Sequence, residues 1–308
     1  MSVVARVGGF AVALAVLFAG ASLAGAKLDP GVDEGGASHE TEPEPIADAH
    51  GTATGDTESA PGLAVSEDGY RLVADRTVFD PERRARLSFR VVDEDGATVR
   101  DFDVEHERRM HLIVVRRDFE GFQHLHPRQL ADGRWVAAAD LAEPGVYRAF
   151  ADFATGGEPL TLAADLFVAG RFDPSPLPAP ATSADAGDGY EVAIDSPAPR
   201  SGGVTDVAFT VSRDGRPVDS IQPYLGADGH LVALREHDQA FLHTHPEGDP
   251  GGPGPISFGV EYPTRGRYRL FLQFRHGGEV RTAAFTQSVA APGGAASGDA
   301  KEGGNGHD

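Results

Sequence analysis

His111-Leu-Ile-Val-Val-Arg116 returns 119 residues later as His230-Leu-Val-Ala-Leu-Arg235. The echo continues downstream, where Phe122-Gln-His124-Leu-His126-Pro127 matches Phe241-Leu-His243-Thr-His245-Pro246. Working outward, Gly69-Tyr70 matches Gly189-Tyr190, and the turn Asp95-Gly96 matches Asp214-Gly215. Gly145-Val-Tyr147-Arg-Ala-Phe150 matches Gly266-Arg-Tyr268-Arg-Leu-Phe271. A period of about 120 residues is too long for one unit of a solenoid and means two copies of one domain.

Each copy reads as β-structure. Leu87-Ser-Phe-Arg-Val91 and Val207-Ala-Phe-Thr-Val211 alternate, and Tyr268, Leu270, Leu272 and Phe274 place large apolar side chains on one face at period two. Turn signals recur at short intervals, and no stretch carries a helical stripe. Many short strands in about 100 residues imply a two-sheet sandwich. Tyr147 and Tyr268, each two residues after a glycine at the start of a late strand, match the tyrosine corner of immunoglobulin-like domains. The expected fold is therefore all-β: two tandem immunoglobulin-like β-sandwich domains behind a disordered acidic N-terminal spacer.

The flanks set the rest of the organisation. The 308 residues carry 27 Lys+Arg against 47 Asp+Glu, a formal net charge of -20. That balance builds no basic footprint and excludes a nucleic-acid partner. The absence of Cys removes disulfides, thiolate metal sites and a cysteine nucleophile. Residues 1–26 read as a signal peptide or N-terminal anchor. Arg6 precedes an apolar run, and Ala24-Gly25-Ala26 offers a cleavage site. The segment 7–26 is just long enough to remain as an anchor if it is not cleaved. Either outcome makes the protein extracytoplasmic, secreted or membrane-anchored, with the membrane met only through that segment. Residues 27–68 hold eleven acids and one base, too polar to bury a core. The sandwiches are expected at 69–168 and 189–289, joined by a Pro-rich linker at 169–188 and followed by a disordered tail at 290–308. On this reading they are two independently folded domains on flexible connectors.

The histidines carry the chemistry. Each copy holds His-x12-His-x-His-Pro: His111, His124 and His126, then His230, His243 and His245. The spacing is that of a hairpin, and His124 and His126 share a face of a strand. If paired residues across the hairpin sum to an odd number, such as 237, His111 joins them on that face. An even sum puts it on the other. Three neutral imidazoles on adjacent strands suit Cu(II) or Zn(II). A structural reading stands beside this one, since a His-x-His next to proline can also fix a loop through backbone carbonyls. His106, between Glu105 and Glu107, is a candidate accessory ligand, and Met110 a candidate thioether donor. His237 and His276 have no counterparts and are expected to face solvent. Metal affinity should fall as pH drops through about 6.5, the ordinary imidazole value. No nucleophile elbow, phosphate loop or dinucleotide fingerprint occurs.

Through these histidine motifs the sequence resembles a family of exported actinobacterial proteins with the same two-block layout. The blocks are also similar to the immunoglobulin-like domains of YtkA-like and CopC-like periplasmic proteins, some linked to copper handling. The resemblance covers 69–289 and implies a non-enzymatic role in the envelope. The Met-rich copper(I) motifs of CopC-type proteins are missing, the chain having two Met. Two functions follow. One is an extracytoplasmic divalent-metal binding protein, copper ahead of zinc, with one site per domain. The other is a structural module that docks another envelope protein and uses its histidines for packing.

Overall fold

The computed structural model describes residues 61–242, 244–248, 250–251 and 254–292. The leader, most of the acidic spacer, His243 and most of the tail lie outside the described residues. Among those described, no helix is long and apolar enough to cross a membrane.

The first repeat is a sandwich of two sheets. One sheet contains β1 (Ser66–Glu67), β2 (Tyr70–Ala74), β4 (Glu82–Val92), β7 (Arg128–Gln129) and β8 (Trp135–Leu141). The other contains β3 (Val78–Phe79), β5 (His111–Arg116), β6 (Gln123–Leu125), β9 (Gly145–Thr155) and β10 (Glu158–Val168). Their orders are β1-β2-β4-β8-β7 and β3-β10-β9-β5-β6, with β3 parallel to β10 and every other pair antiparallel.

The second repeat reproduces this. Its first sheet runs through β11 (Ser183–Gly187), β12 (Tyr190–Asp195), β13 (Val204–Arg213), β18 (Ile256–Glu261) and β17 (Thr244–Glu247). The short β14 (Arg216–Pro217) pairs with β13. Its second sheet has the order β16 (Phe241–Leu242), β15 (Gly229–Arg235), β19 (Gly266–His276), β20 (Glu279–Val289). This arrangement is immunoglobulin-like, and both tyrosine corners are present. Tyr147 Oη donates to Glu143 O at 2.9 Å, and Tyr268 Oη to Thr264 O at 2.8 Å.

Each sandwich has its own apolar core. Leu112 and Val114 of β5 point into one, Leu231 and Ala233 of β15 into the other. The alternate residues of the same strands are buried too, and this explains their unbroken apolar runs. Ile113 and Val115 meet Val232 and Leu234 in a third cluster that also holds Phe119, Phe150, Phe241 and Phe271. Phe122 stacks on Phe271 with ring centroids 4.0 Å apart and planes at 9°. The two sandwiches therefore pack face to face through their β5 and β15 sheets.

This corrects the expectation of independent domains. Residues 61–248 belong, with the rest of both repeats, to one compact unit. The connectors join in. Ser175 N donates to Asp118 Oδ2 at 3.0 Å, Leu177 packs on the shared cluster, and β11 lies inside the stretch expected to be linker. The chain arriving at residue 61 bridges the seam. Phe241 N donates to Pro61 O and Gly62 N to Thr161 O, both at 2.9 Å. Gly62 is required there, since a Cβ would lie 2.8 Å from Phe150 and 2.9 Å from Phe241.

Candidate metal centre

The register of the first hairpin settles which face His111 occupies. Leu112 pairs with Leu125 and Ile113 with His124, so paired residues sum to the odd number 237. His111, Ile113 and Val115 then share the outward face with Phe122, His124 and His126. That face is the one the second repeat covers. The apolar part of the stripe forms the interface, and its histidine end forms a cluster inside the seam.

His111, His124 and His126 each offer one ring nitrogen to a common centre, and the three nitrogens lie within 4.8 Å of one another. His111 is buried, the other two partly so. The second repeat contributes to the walls. His230 stacks on His111 with centroids 5.6 Å apart and planes at 12°, and its centroid is 4.6 Å from that of His124. His106 stands at the rim, exposed, with its ring 6.2 Å from His111 and 5.8 Å from His230.

Hydrogen bonds hold the rings in place. His111 Nε2 is 3.2 Å from the carbonyl of Glu105, which can only accept. His124 Nδ1 is 2.7 Å from Gln273 Oε1, whose Nε2 is turned toward Thr282 Oγ1 at 3.3 Å. His124 is thus held on both sides, by Gln273 at Nδ1 and by His111 at Nε2. His111 Nδ1 and His124 Nε2 face each other at 2.9 Å and share one hydrogen bond. His126 Nε2 is buried without a hydrogen-bond partner. Three imidazole nitrogens thus converge, with the hydrogen bond between His111 and His124 the one contact an ion would replace. Carbonyl acceptors behind the rings are the usual device for aiming imidazole lone pairs at a metal. Ligand nitrogens on one tetrahedral ion sit about 3.3 Å apart, so the facing pair needs to open only slightly.

The surroundings keep the rings neutral. Burial, followed by the nearby His111, lowers the pKa of His124 to about 3. Burial and then the charge of Arg108 lower that of His126 to about 4. Burial also lowers His111, against the opposing pull of Asp152, and takes His230 well below the ordinary value.

A family model described as a domain of unknown function, DUF8832, matches the chain twice, over residues 64–170 and 183–291. The chain belongs to the DUF8832 family. No curated protein matches it. Among solved structures, Salmonella alpha-2-macroglobulin reacted with methylamine is 14% identical over 75% of this chain and 15% of its own, with a TM-score of 0.26. InvD of Yersinia pseudotuberculosis is 14% identical over 74% of this chain and 59% of its own, at 0.25. The Escherichia coli adhesin FdeC is 16% identical over 74% and 66%, also at 0.25. The chain spans less than two thirds of each. The fold assignment rests on strand topology and the tyrosine corners.

Among the described residues of this DUF8832 chain, the second-repeat histidines form no cluster of their own. His230 turns toward the first trio. His245 is exposed on β17, in the opposite sheet from His230. His243 lies outside the described residues. Met110 is buried in the core of the first sandwich, on the far side of β5 from His111, and is no ligand candidate. His276 is not merely solvent-facing, since its Nδ1 meets Tyr190 Oη at 2.6 Å. His237 is exposed beside Glu236. The contribution of Gln273 escaped the sequence reading. It has no counterpart in the histidine motif and reaches the site only because the repeats pack together.

Proposed function

We propose that this protein binds one divalent transition-metal ion in the seam between its two repeats, through His111, His124 and His126. The convergence of three imidazole nitrogens within 4.8 Å of one another carries this reading. A neutral all-nitrogen set suits Cu(II) ahead of Zn(II) by intrinsic affinity, and the resemblance to envelope domains linked to copper handling points the same way. The role is binding rather than catalysis, because the ligand nitrogens are desolvated between two sheets. The location is extracytoplasmic, on the strength of the leader-like residues 1–26.

A second reading makes the histidines packing elements of an envelope interaction module. The bonds to Glu105 O and Gln273 favour it, since they would also lock the seam. Calorimetric titration of untagged protein with Cu(II) and Zn(II) separates the two. Metal binding predicts one tight ion per chain, lost in His124→Ala/His126→Ala. The packing reading predicts no tight ion in wild type.

A further inference from the structure

The turn that leads into the first-repeat site differs from its counterpart in a way the fold does not require. Glu105 N donates to Arg108 O at 2.8 Å and Arg108 N to Glu105 O at 2.9 Å, closing a two-residue turn over His106 and Glu107. In the second repeat Tyr224 and Ala227 exchange the same bonds, at 2.7 and 3.3 Å, around Leu225 and Gly226. All four central residues have positive φ: 47° and 63° in the first turn, 57° and 80° in the second. Such turns favour glycine at the second central position. The second repeat has it; the first holds Glu107 there, in a conformation that L-residues adopt at a cost.

The gain is the placement of His106. Two imidazoles that share one ion, with bonds of about 2.0–2.1 Å, put their ring centroids about 5–6 Å apart. His106 and His230 are 5.8 Å apart. His230 is not among the three converging nitrogens, its ring lying nearly parallel to His111 and 4.6 Å from that of His124. The rings form a gradient of access, from exposed His106 to partly buried His126 to buried His111. His106 offers a ring nitrogen at the exposed end, flanked in sequence by the carboxylates Glu105 and Glu107.

Resting on the reading that the trio binds metal, we propose that His106 and His230 form an outer loading position. An incoming divalent transition-metal ion is held there before passing to His111, His124 and His126. The two repeats thus jointly build an entry step as well as a resting site.

The test is stopped-flow mixing of the untagged full chain with Cu(II), followed by visible absorbance, alongside equilibrium titration. In wild type the ion should load fully. In His106→Ala loading should slow about tenfold or more, the size of effect expected for loss of a supporting metal contact. The final spectrum and equilibrium stoichiometry should be unchanged. His106→Gln should behave the same way, which separates ligation from turn geometry. Unchanged loading rates in both variants would overturn the outer position while leaving the inner site standing. A changed final spectrum would also overturn it, by making His106 a permanent ligand. A wild type that takes up no Cu(II) would overturn the inner site and this inference together.

Discussion

In the first repeat, β6 stays beside β5 for three paired residues and carries His124 and His126 on the face of His111. In the second, β16 pairs with β15 only at Phe241 and Leu242, and the chain then crosses to the opposite sheet as β17. The two hairpins start in the same parity, since 233 pairs with 242 and 113 with 124. They diverge where Leu125 corresponds to Thr244. Leu125 continues the ladder opposite Leu112, whereas the Thr244 hydroxyl donates to Leu231 O at 2.7 Å and closes the corner. His245 leaves with the departing strand, and His230 is left to line the cluster of the other repeat. Identical histidine spacing therefore yields one converging trio among the described residues, with His243 outside them.

The largest expected effect tests whether the repeats act as one body. Phe271→Ala removes the stacking partner of Phe122 and opens the shared cluster, and should cost about 3–5 kcal/mol. Wild type should unfold in denaturant as a single transition, and the variant should show two. Two transitions in wild type would break the comparison, because the first-repeat site depends on a partner that is always present.

The next effect is in pH. His124 and His126 are depressed to about 3 and about 4 when folded, from 6.5 when unfolded. Below 6.5 the unfolded chain binds more protons, so stability rises with pH through this window. The contribution of these rings is full above about 6.5 and is lost as pH falls toward about 4 and then about 3. Metal-free protein should show this in melting temperature, and His124→Ala/His126→Ala should flatten the slope. The same shifts revise the metal expectation. The folded site stays deprotonated well below 6.5, so affinity should hold at that pH and decline only as His126 protonates near 4. A decline centred on 6.5 would mean solvated histidines.

The smallest effect contrasts the two turns. Glu107→Gly should stabilise by about 1 kcal/mol and Gly226→Glu destabilise by a similar amount, because only backbone strain separates them. Space is not at issue, since a Cβ on Gly226 meets nothing within 4 Å. Chemical denaturation of both variants measures this. Equal effects of the same sign would remove the argument that the first turn is held for the sake of His106.

The sequence showed the repeat, the sandwich class and both tyrosine corners because each leaves a local mark: a fixed offset, alternation, and Gly-x-Tyr at a strand start. It also confined the cluster to one of two parities, of which the observed odd sum makes the trio. It did not show that the outward faces of β5 and β15 pack together. Ile113, Val115, Val232 and Leu234 sit in apolar runs that a strand buried on one side or both would share. For the same reason it missed Gln273. The two hairpins part at Leu125 and Thr244, a local difference with no period.

The most direct test of the single inter-repeat centre is metal stoichiometry in two paired variants. Untagged full-length protein, His124→Ala/His126→Ala and His243→Ala/His245→Ala should be loaded with Cu(II), dialysed and analysed for bound metal. The account predicts one ion per chain in wild type, one in the second-repeat variant and none in the first-repeat variant. Two ions in wild type with one lost from each variant would contradict it and restore an independent site in each repeat.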